Sequence, residues 1–416
     1  MILLEIHITL EDGSRIPCGE LRCCEPGDLI RGGAFRYNPQ YLDHPKAFPL
    51  DPVNLPLRPG IFEVKTPSGF PSAISDSLPD AWGMTLLKER AYREGLRPDD
   101  VPAHLLIALG SGSMGALDFQ PMLGKKCQGP PAGGLMVGQL TEMVDYAALY
   151  DEGLALQDDQ MAVLLDGGSS PGGARPKALI QDGDDLYLAK FPRKGDRLDM
   201  VRLEAACLTL MEWAGGTVPK HKVVQAGQRP VLMVERFDRT PEGKAHRISF
   251  DTLLRDREDL PPRGTYPAMF EALRKWSDRP NLDVELLYRQ MCLNVLLGNT
   301  DDHLRNFSLV RRGGEWRLSP AYDIAPYTQE RRAHSVMLPG DPPSTQPPED
   351  LEGLRLMGRA LRVPQAAKIL QQVVDAVQRW PEACAIHGVS DKDRDAVAEY
   401  IEKRIQVEED GLRARI

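Results

Sequence analysis

NTDDHLRN, from Asn299 to Asn306, is the stretch of this 416-residue sequence that decides the fold. It places Asp301 five residues before Asn306. At that spacing, one short loop presents a carboxylate that accepts a proton and an amide that holds a metal ion to the same phosphate. The preceding run, MCLNVLLGN, predicts a buried helix that holds this loop rigidly.

A second acidic residue follows the loop. Asp323 stands 17 residues after Asn306, in WRLSPAYDIAP, at the end of a predicted strand pair (307–310 and 316–319). A kinase keeps its magnesium-binding aspartate at such a strand end, and oxygen-bearing side chains suit a hard cation. Two ordinary interpretations stay open, because Asp301 could cap a helix and Asp323 could form an Asx turn.

Upstream lies a glycine-rich segment, DGGSSPGG, at 166–173, in which the backbone N–H groups of Gly172 and Gly173 could wrap a phosphate. A plain flexible hairpin is the alternative. Lys190, in LYLAKFP, follows 17 residues later on an apolar strand and is a candidate for gripping the α- and β-phosphates. Strand alternation could instead leave it facing solvent. Glu204, on the predicted helix 200–213, is a possible ion-pair partner.

The run PVLMVERFDR, at 230–239, is an apolar strand that turns abruptly polar, as at a hinge between two lobes. Backbone groups near Glu235 and Phe237 could then bind an adenine. A core strand that ends in a salt-bridged turn would have the same sequence pattern and is the alternative. GSGSMG, at 110–115, matches a dinucleotide-binding pattern but follows a helix-like run rather than a strand. We interpret it as a turn in the first domain.

Composition narrows the class of protein. The net charge of -9 argues against a protein that wraps nucleic acid, and 42% apolar residues argue against general disorder. Seven scattered cysteines without a CxxC pair favour a reducing compartment. The amino terminus lacks the pattern of a signal peptide and no apolar run reaches membrane-spanning length, so we expect a cytoplasmic protein with no membrane contact.

The order of these patterns predicts three zones. Residues 1–125 form a β-rich amino-terminal domain, and the Gly- and Pro-rich segment 123–134 is a linker. Residues 135–248 carry the glycine-rich turn and the hinge, and residues 249–416 are helical and carry the catalytic loop. The predicted fold is α+β, a two-lobed protein-kinase-like fold with a β-rich N-lobe, an extra amino-terminal domain and an all-helical C-lobe.

Five motifs in this order, SxxGARPK, YLAKFP, VERFDR, NTDDHLRNF and SPAYDIAP, resemble the motif set of the HipA family of toxin kinases. SDSLPDAWG at 75–83 and MGALDF at 114–119 are similar to the amino-terminal domain of that family. The resemblance covers most of the chain. It implies an ATP- and Mg²⁺-dependent serine/threonine protein kinase.

The resemblance also implies a role for each matching position. Asp301 is the expected catalytic base, Asn306 and Asp323 are the expected magnesium ligands, and Lys190 binds phosphate beside Gly172 and Gly173. Glu235 and Phe237 border the adenine. Ser170 falls at the family's autophosphorylated serine, whose modification ejects the glycine-rich loop and inactivates the kinase. Ser169 is adjacent, so the choice between the two serines stays open.

Family members pair with a small helix-turn-helix antitoxin, HipB-like, and reach DNA only through it. Some phosphorylate aminoacyl-tRNA synthetases, so a translation-related substrate is expected here. Two rival interpretations remain: a pseudokinase-like module that binds an antitoxin without chemistry, and a small-molecule kinase of the aminoglycoside or choline type. The first rival is disfavoured because the sequence keeps all four residues expected for catalysis, Asp301, Asn306, Asp323 and Lys190.

Overall fold

The computed structural model describes residues 2–23, 32–124, 126–127, 129–131, 133–169, 173–326, 333–348 and 350–413. These residues form an amino-terminal domain followed by two lobes. Within them, no helix combines the length and the apolar character needed to cross a bilayer.

The amino-terminal domain is built on one antiparallel sheet in the order β4-β3-β2-β1-β5. Buried residues alternate along β1 (Leu4, Ile6 and Ile8), so one face of the sheet packs on the helices of the domain. The elements are β1 Ile2–Thr9, β2 Arg15–Cys23, β3 Gly33–Tyr37, α1 Pro39–Leu42, β4 Phe62–Val64, α2 Ser72–Ser75, α3 Ala81–Arg93, α4 Ala103–Leu109 and β5 Leu117–Pro121.

The N-lobe carries a second five-stranded sheet, in the order β6-β7-β8-β10-β9. One face packs on α5 and α6, and the other packs on α7. Strand alternation sends Met233 to the first face and Leu232 to the second. The elements are β6 Leu135–Met136, a 3₁₀ turn Val137–Gln139, α5 Leu140–Asp151, α6 Asp158–Gly168, β7 Lys177–Asp182, β8 Asp185–Lys190, α7 Met200–Trp213, β9 His221–Ala226 and β10 Arg229–Glu235.

The C-lobe is mostly helical around α10, which is buried along most of its length. It also carries a three-stranded sheet, β11-β12-β13. The elements are β11 His246–Ser249, α8 Phe250–Leu253, α9 Tyr266–Trp276, α10 Pro280–Leu297, a 3₁₀ turn Leu304–Asn306, β12 Ser308–Arg312, β13 Glu315–Leu318, α11 Leu351–Ala360, α12 Ala366–Gln378, α13 Trp380–His387 and α14 Asp391–Arg413.

The α+β, two-lobed prediction is confirmed, but the C-lobe is not all-helical as predicted, because it carries the sheet β11-β12-β13. The strand pair expected at 307–310 and 316–319 recruits a third strand, β11, from the segment assigned to the N-lobe. The predicted boundary at residue 248 therefore falls inside β11. Pairing between β11 and β12 joins residues about sixty positions apart, which no local pattern reveals.

Polar contacts dock the amino-terminal domain on the rest of the chain. The carboxylate of Asp76 accepts hydrogen bonds from the backbone N–H and the hydroxyl of Ser249, both at 2.7 Å. The turn at 110–115 follows α4, as predicted, and is a docking element: the N–H of Gly115 donates to buried Asp238 at 2.7 Å. The charges of neighbouring arginines outweigh burial and hold the pKa of Asp238 below its ordinary value.

Candidate active site

Lys190, the last residue of β8, extends its amine into the cleft between the lobes. The amine donates to the carboxylates of Glu204, on α7, and Asp323, in the C-lobe. Lys190 lies directly opposite Leu232, which packs against α7. Because α7 covers this face of the sheet, the lysine is buried rather than solvent-facing, and the predicted pair with Glu204 is confirmed.

The three charges of this cluster determine each other's ionisation. Burial lowers the pKa of Lys190, but the charges of Asp323 and Glu204 outweigh it and raise that pKa above its ordinary value. Burial also opposes ionisation of Asp323, yet Lys190 and Lys177 hold the pKa of its carboxyl low. Burial raises the pKa of Glu204 in spite of Lys190. The cleft therefore presents a fixed cation beside a fixed anion.

The backbone at Asp323 is itself unusual. Its φ of 53° lies in the left-handed region, which aspartate tolerates better than most residues but at a cost of about 1–3 kcal/mol. The side chain reaches Lys190 across the cleft, so the alternative of a simple Asx turn does not describe its contacts. Strain of this kind persists where the surrounding structure fixes it, as at a ligand site.

Asp301 and Asn306 lie on the loop that follows α10. The helix ends at Gly298 in the left-handed conformation, and the N–H of Asn299 returns to the carbonyl of Asn294 at 2.8 Å. The side-chain amide of Asn306 donates to the carbonyl of Asp301 at 2.8 Å, which leaves its Oδ1 for another ligand. Asp301 is exposed at the cleft and does not cap the following 3₁₀ turn, whose N-cap is His303.

The hinge strand β10 borders the apolar side of the cleft. Glu235 and Phe237 both line it, and the ring of Phe237 stacks on that of Tyr322 with centroids 5.4 Å apart. The N–H of Glu235 is already donated to the carbonyl of Lys220 at 2.8 Å. An adenine would therefore have to use other backbone groups of this segment.

Part of the predicted glycine-rich loop is helical. Residues 166–168 are the last turn of α6, where Gly167 packs close to Leu135 and Gly168 packs close to Leu86. These two glycines thus allow packing instead of holding phosphate. Gly172 lies outside the described residues, and Gly173 has a φ of 110° and lines the cleft.

Of the two serines in this segment, the structure describes Ser169. Ser169 is buried at the end of α6, where its hydroxyl donates to the carbonyl of Leu165 and accepts from Nε of Arg90 at 3.3 Å. Ser170, which aligns with the autophosphorylated serine of the family, lies outside the described residues.

Lys177 is a site residue that sequence reasoning missed. It lies directly opposite Lys190 in the β7–β8 register, and its amine occupies the space that a side chain at Gly173 would need. It is 4% exposed, and burial lowers its pKa. Within the described part of the chain, no carboxylate pairs with its amine. Two lysines on facing positions repel each other, so this arrangement suits an anion.

The donor set fits a magnesium ion in chemistry and placement. Asn306 and Asp323 both line the part of the cleft where Asp301 lies, and both offer oxygen. No group of three or more His, Cys, Asp or Glu side chains in the described residues forms a metal cluster. Magnesium bound to a nucleotide does not need one, because phosphates and water supply its other ligands.

Two family models match this chain. Residues 169–380 match the HipA-like C-terminal domain, and residues 20–120 match the HipA N-terminal domain. Among curated proteins, "Putative kinase Y4mE" of Sinorhizobium fredii is 31% identical over 147 residues, which are 33% of each chain. "Putative kinase Y4dM" of the same organism is 32% identical over 139 residues, 29% of this chain and 32% of that protein. These matches span about a third of those relatives.

A solved structure resembles the whole chain. It is HipA in a complex described as the toxin–antitoxin system HipA, HipB and its operator DNA from Shewanella oneidensis MR-1. The TM-score is 0.68 at 18% sequence identity, over 96% of this chain and 95% of that one. At this identity the likeness establishes the fold, which extends from the amino-terminal domain through both lobes.

Proposed function

Because the chain belongs to the HipA family, we propose that it is an ATP-dependent serine/threonine protein kinase that acts as the toxin of a toxin–antitoxin pair. The observation that carries the proposal is the convergence of four distant side chains. Lys190, Asp301, Asn306 and Asp323 all line one cleft between two lobes, with the lysine paired to Asp323 and Glu204.

The arrangement accounts for each step of phosphoryl transfer. The adenine enters beside Phe237 and Tyr322, and Lys190 holds the α- and β-phosphates. Asp301 accepts the proton of a serine or threonine hydroxyl. The hydroxyl oxygen attacks the γ-phosphorus, and the bond between that phosphorus and ADP breaks. Lys177 would add a second positive charge near the phosphates.

Asn306 and Asp323 would hold magnesium through their side-chain oxygens. The ion supplies charge neutralisation of the phosphates. The ion pair with Lys190 keeps Asp323 ionised, as a metal ligand must be.

Family membership supports proposals about the partner and the regulation of this chain. The Shewanella structure contains HipB and operator DNA, and for this chain we infer a HipB-like helix-turn-helix antitoxin and contact with DNA only through it. A translation-related substrate, such as an aminoacyl-tRNA synthetase, is the expected target. Autophosphorylation at Ser170 would switch the kinase off; buried and hydrogen-bonded Ser169 is the poorer acceptor.

The test of the reaction is incubation of the purified protein with γ-labelled ATP, magnesium and a bacterial lysate. Label on serine or threonine of a protein band supports the proposal. Label confined to small metabolites would instead assign a small-molecule kinase. Nucleotide binding without any transfer would assign a pseudokinase-like module.

Asp301→Asn tests the catalytic base. We expect transfer to fall about 10²- to 10⁴-fold, because the amide cannot accept the hydroxyl proton. The melting temperature should stay unchanged, since the substitution is nearly isosteric and the side chain is exposed. Asp259→Asn, at an exposed acid outside the cleft, is the matched control. Full activity of Asp301→Asn would remove Asp301 from this role.

A further inference from the structure

One residue of the amino-terminal domain reaches the catalytic loop. Asp80 forms an ion pair with Arg305, its Oδ1 lying 2.9 Å from Nη1. The other terminal nitrogen of Arg305 donates to the carbonyl of Leu78 at 3.4 Å. Arg305 stands between Asp301 and Asn306 in sequence, in the 3₁₀ turn of the loop. The amino-terminal domain therefore contacts the loop at the position next to a predicted metal ligand.

Asp80 makes this ion pair in place of the N-cap hydrogen bond that is usual for an aspartate at its position. Asp80 is the N-cap residue of α3, where an aspartate usually accepts a hydrogen bond from the first turn of the helix. Its side chain makes no such bond. The helix thus gives up a stabilising cap while the carboxylate faces the arginine, and departures from local rules of this kind concentrate at functional sites.

The position of the pair in the cleft suggests what it serves. Within the described part of the chain, four residues line both the part of the cleft beside Phe237 and the part beside Asp301: Asp80, Arg305, Asn306 and Asp323. A bound nucleotide must pass its phosphate chain through this junction. Two of the four residues are the predicted magnesium ligands, and the other two are the ion pair.

Arginine is suited to a phosphate at this place. Its guanidinium has five N–H donors, and Asp80 and Leu78 leave donors for a ligand oxygen. The planar fork matches phosphate geometry, and a partner that fixes the fork reduces the conformational freedom lost on binding. Arg305 is also held through its backbone, since its carbonyl accepts from the hydroxyl of Tyr322 at 2.9 Å.

We propose that Arg305 binds the γ-phosphate of ATP and that Asp80, from the amino-terminal domain, is the residue that positions Arg305. This inference rests on the proposed kinase function and makes the amino-terminal domain part of the active site. Asp80 acts through Arg305 and does not itself touch the nucleotide.

The test compares the affinities of Mg-ATP and Mg-ADP, measured by calorimetry on the full chain. We expect Arg305→Gln to weaken ATP binding about 10- to 100-fold while leaving ADP binding unchanged, because only ATP carries a γ-phosphate. Asp80→Asn should also weaken ATP binding, but by a smaller factor. The double variant should match Arg305→Gln alone, since Asp80 acts through the arginine.

Arg36→Gln and Glu20→Gln form the control, because that pair joins β2 to β3 at an exposed position with Nη2 and Oε2 2.7 Å apart. Neither should change the ratio of ATP to ADP affinity. A purely structural role predicts that Arg305→Gln and Asp80→Asn lower the melting temperature but keep the wild-type ratio, and that result overturns the inference.

The same measurements separate this inference from the kinase proposal. Wild-type protein that transfers phosphate while Arg305→Gln keeps the full preference for ATP would leave the kinase standing and remove the arginine contact. Wild-type protein that prefers ATP through Arg305 but transfers nothing would support the contact and reject the kinase. Wild-type protein that binds neither nucleotide would reject both.

Discussion

At the scale of single residues, Lys177 shows how a folded chain can hold an unfavourable charge for a ligand. Its amine is buried, faces Lys190 across the sheet and has no carboxylate partner among the described residues. Removing a lysine charge from water without a partner costs free energy. An anion in the cleft would remove that cost, so we expect Lys177 to couple stability to ligand binding.

Lys177→Met tests this coupling. Methionine has a similar length and no charge, so we expect nucleotide-free protein to gain about 1–3 kcal/mol of unfolding free energy. The rise in melting temperature on adding Mg-ATP should shrink, because the affinity falls. Thermal unfolding with and without Mg-ATP measures both. Lys46→Met, at an exposed lysine paired with Asp12, is the control. A less stable variant with a wild-type response to ATP would contradict the idea.

At the scale of elements, helix α10 positions the predicted catalytic loop. Thirteen of its eighteen residues are buried in the C-lobe core, and the chain leaves it at Gly298 with a φ of 66°. A side chain at Gly298 would meet the ring of Tyr400, on α14, at 2.5 Å. The glycine therefore serves both the left-handed turn and the close approach of a second helix, just before Asp301.

Gly298→Ala separates these two effects when compared with Gly183→Ala. Gly183 also has a positive φ, 62°, but has open space around it. The left-handed backbone should cost both variants about 1–2 kcal/mol of unfolding free energy. Gly298→Ala should lose about 1–3 kcal/mol more, because the methyl group overpacks the contact with Tyr400. Chemical denaturation measures the difference. Equal losses in the two variants would show that the contact is unimportant.

The glycine-rich segment illustrates the same point for α6. Four glycines at 166–173 predicted one mobile loop, yet two of them sit in a helix where a methyl group would collide with Leu86 and Leu135. Glycine permits close helix packing as well as loop freedom, and composition alone does not distinguish these uses.

At the scale of the whole molecule, the amino-terminal domain and the C-lobe bury acids between them. Asp51 is fully buried, with one oxygen accepting from the N–H of Val53 at 2.7 Å and the other without a hydrogen-bond partner. Burial raises its pKa to about 7, and the charge of nearby Glu258 adds to the rise. Glu258 belongs to the C-lobe and accepts from Ser72 of the amino-terminal domain at 2.6 Å.

This burial makes stability depend on pH. Between pH 3.8, the ordinary pKa, and about pH 7, the folded protein keeps a proton on Asp51 that the unfolded chain has lost. The contribution of Asp51 is therefore most favourable at low pH, decreases as pH rises through this window, and stays constant above it. Asp51→Asn mimics the protonated acid at every pH.

We expect Asp51→Asn to be more stable than the wild type at pH 8 by about 2–4 kcal/mol, since each pKa unit is worth about 1.4 kcal/mol. The difference should vanish near pH 4. Denaturant unfolding at several pH values measures it. Asp12→Asn is the control, because Lys46 lowers the pKa of that exposed acid, so the effect of the substitution on stability should change with pH only in acid and stay constant above about pH 5. A gain that is the same at all pH values would contradict the linkage.

The sequence by itself determined the features that depend on neighbours along the chain. The loop from Asn299 to Asn306, the strands ending at Lys190 and Glu235 and the helix before the loop could be predicted, because spacing and apolar periodicity are local properties. The motif order was enough to predict the family and the two-lobed fold. The roles of the individual site residues remain predictions.

Tertiary structure alone decided which distant groups meet. The facing of Lys177 and Lys190 follows from the register of the β7–β8 hairpin, but the pairing of Asp80 with Arg305, across 225 positions, depends on how the parts of the chain pack. So does the covering of the Lys190 face by α7. The sequence does not distinguish a charged residue that faces solvent from one that faces a cleft, because the surroundings of the residue form only when the chain folds.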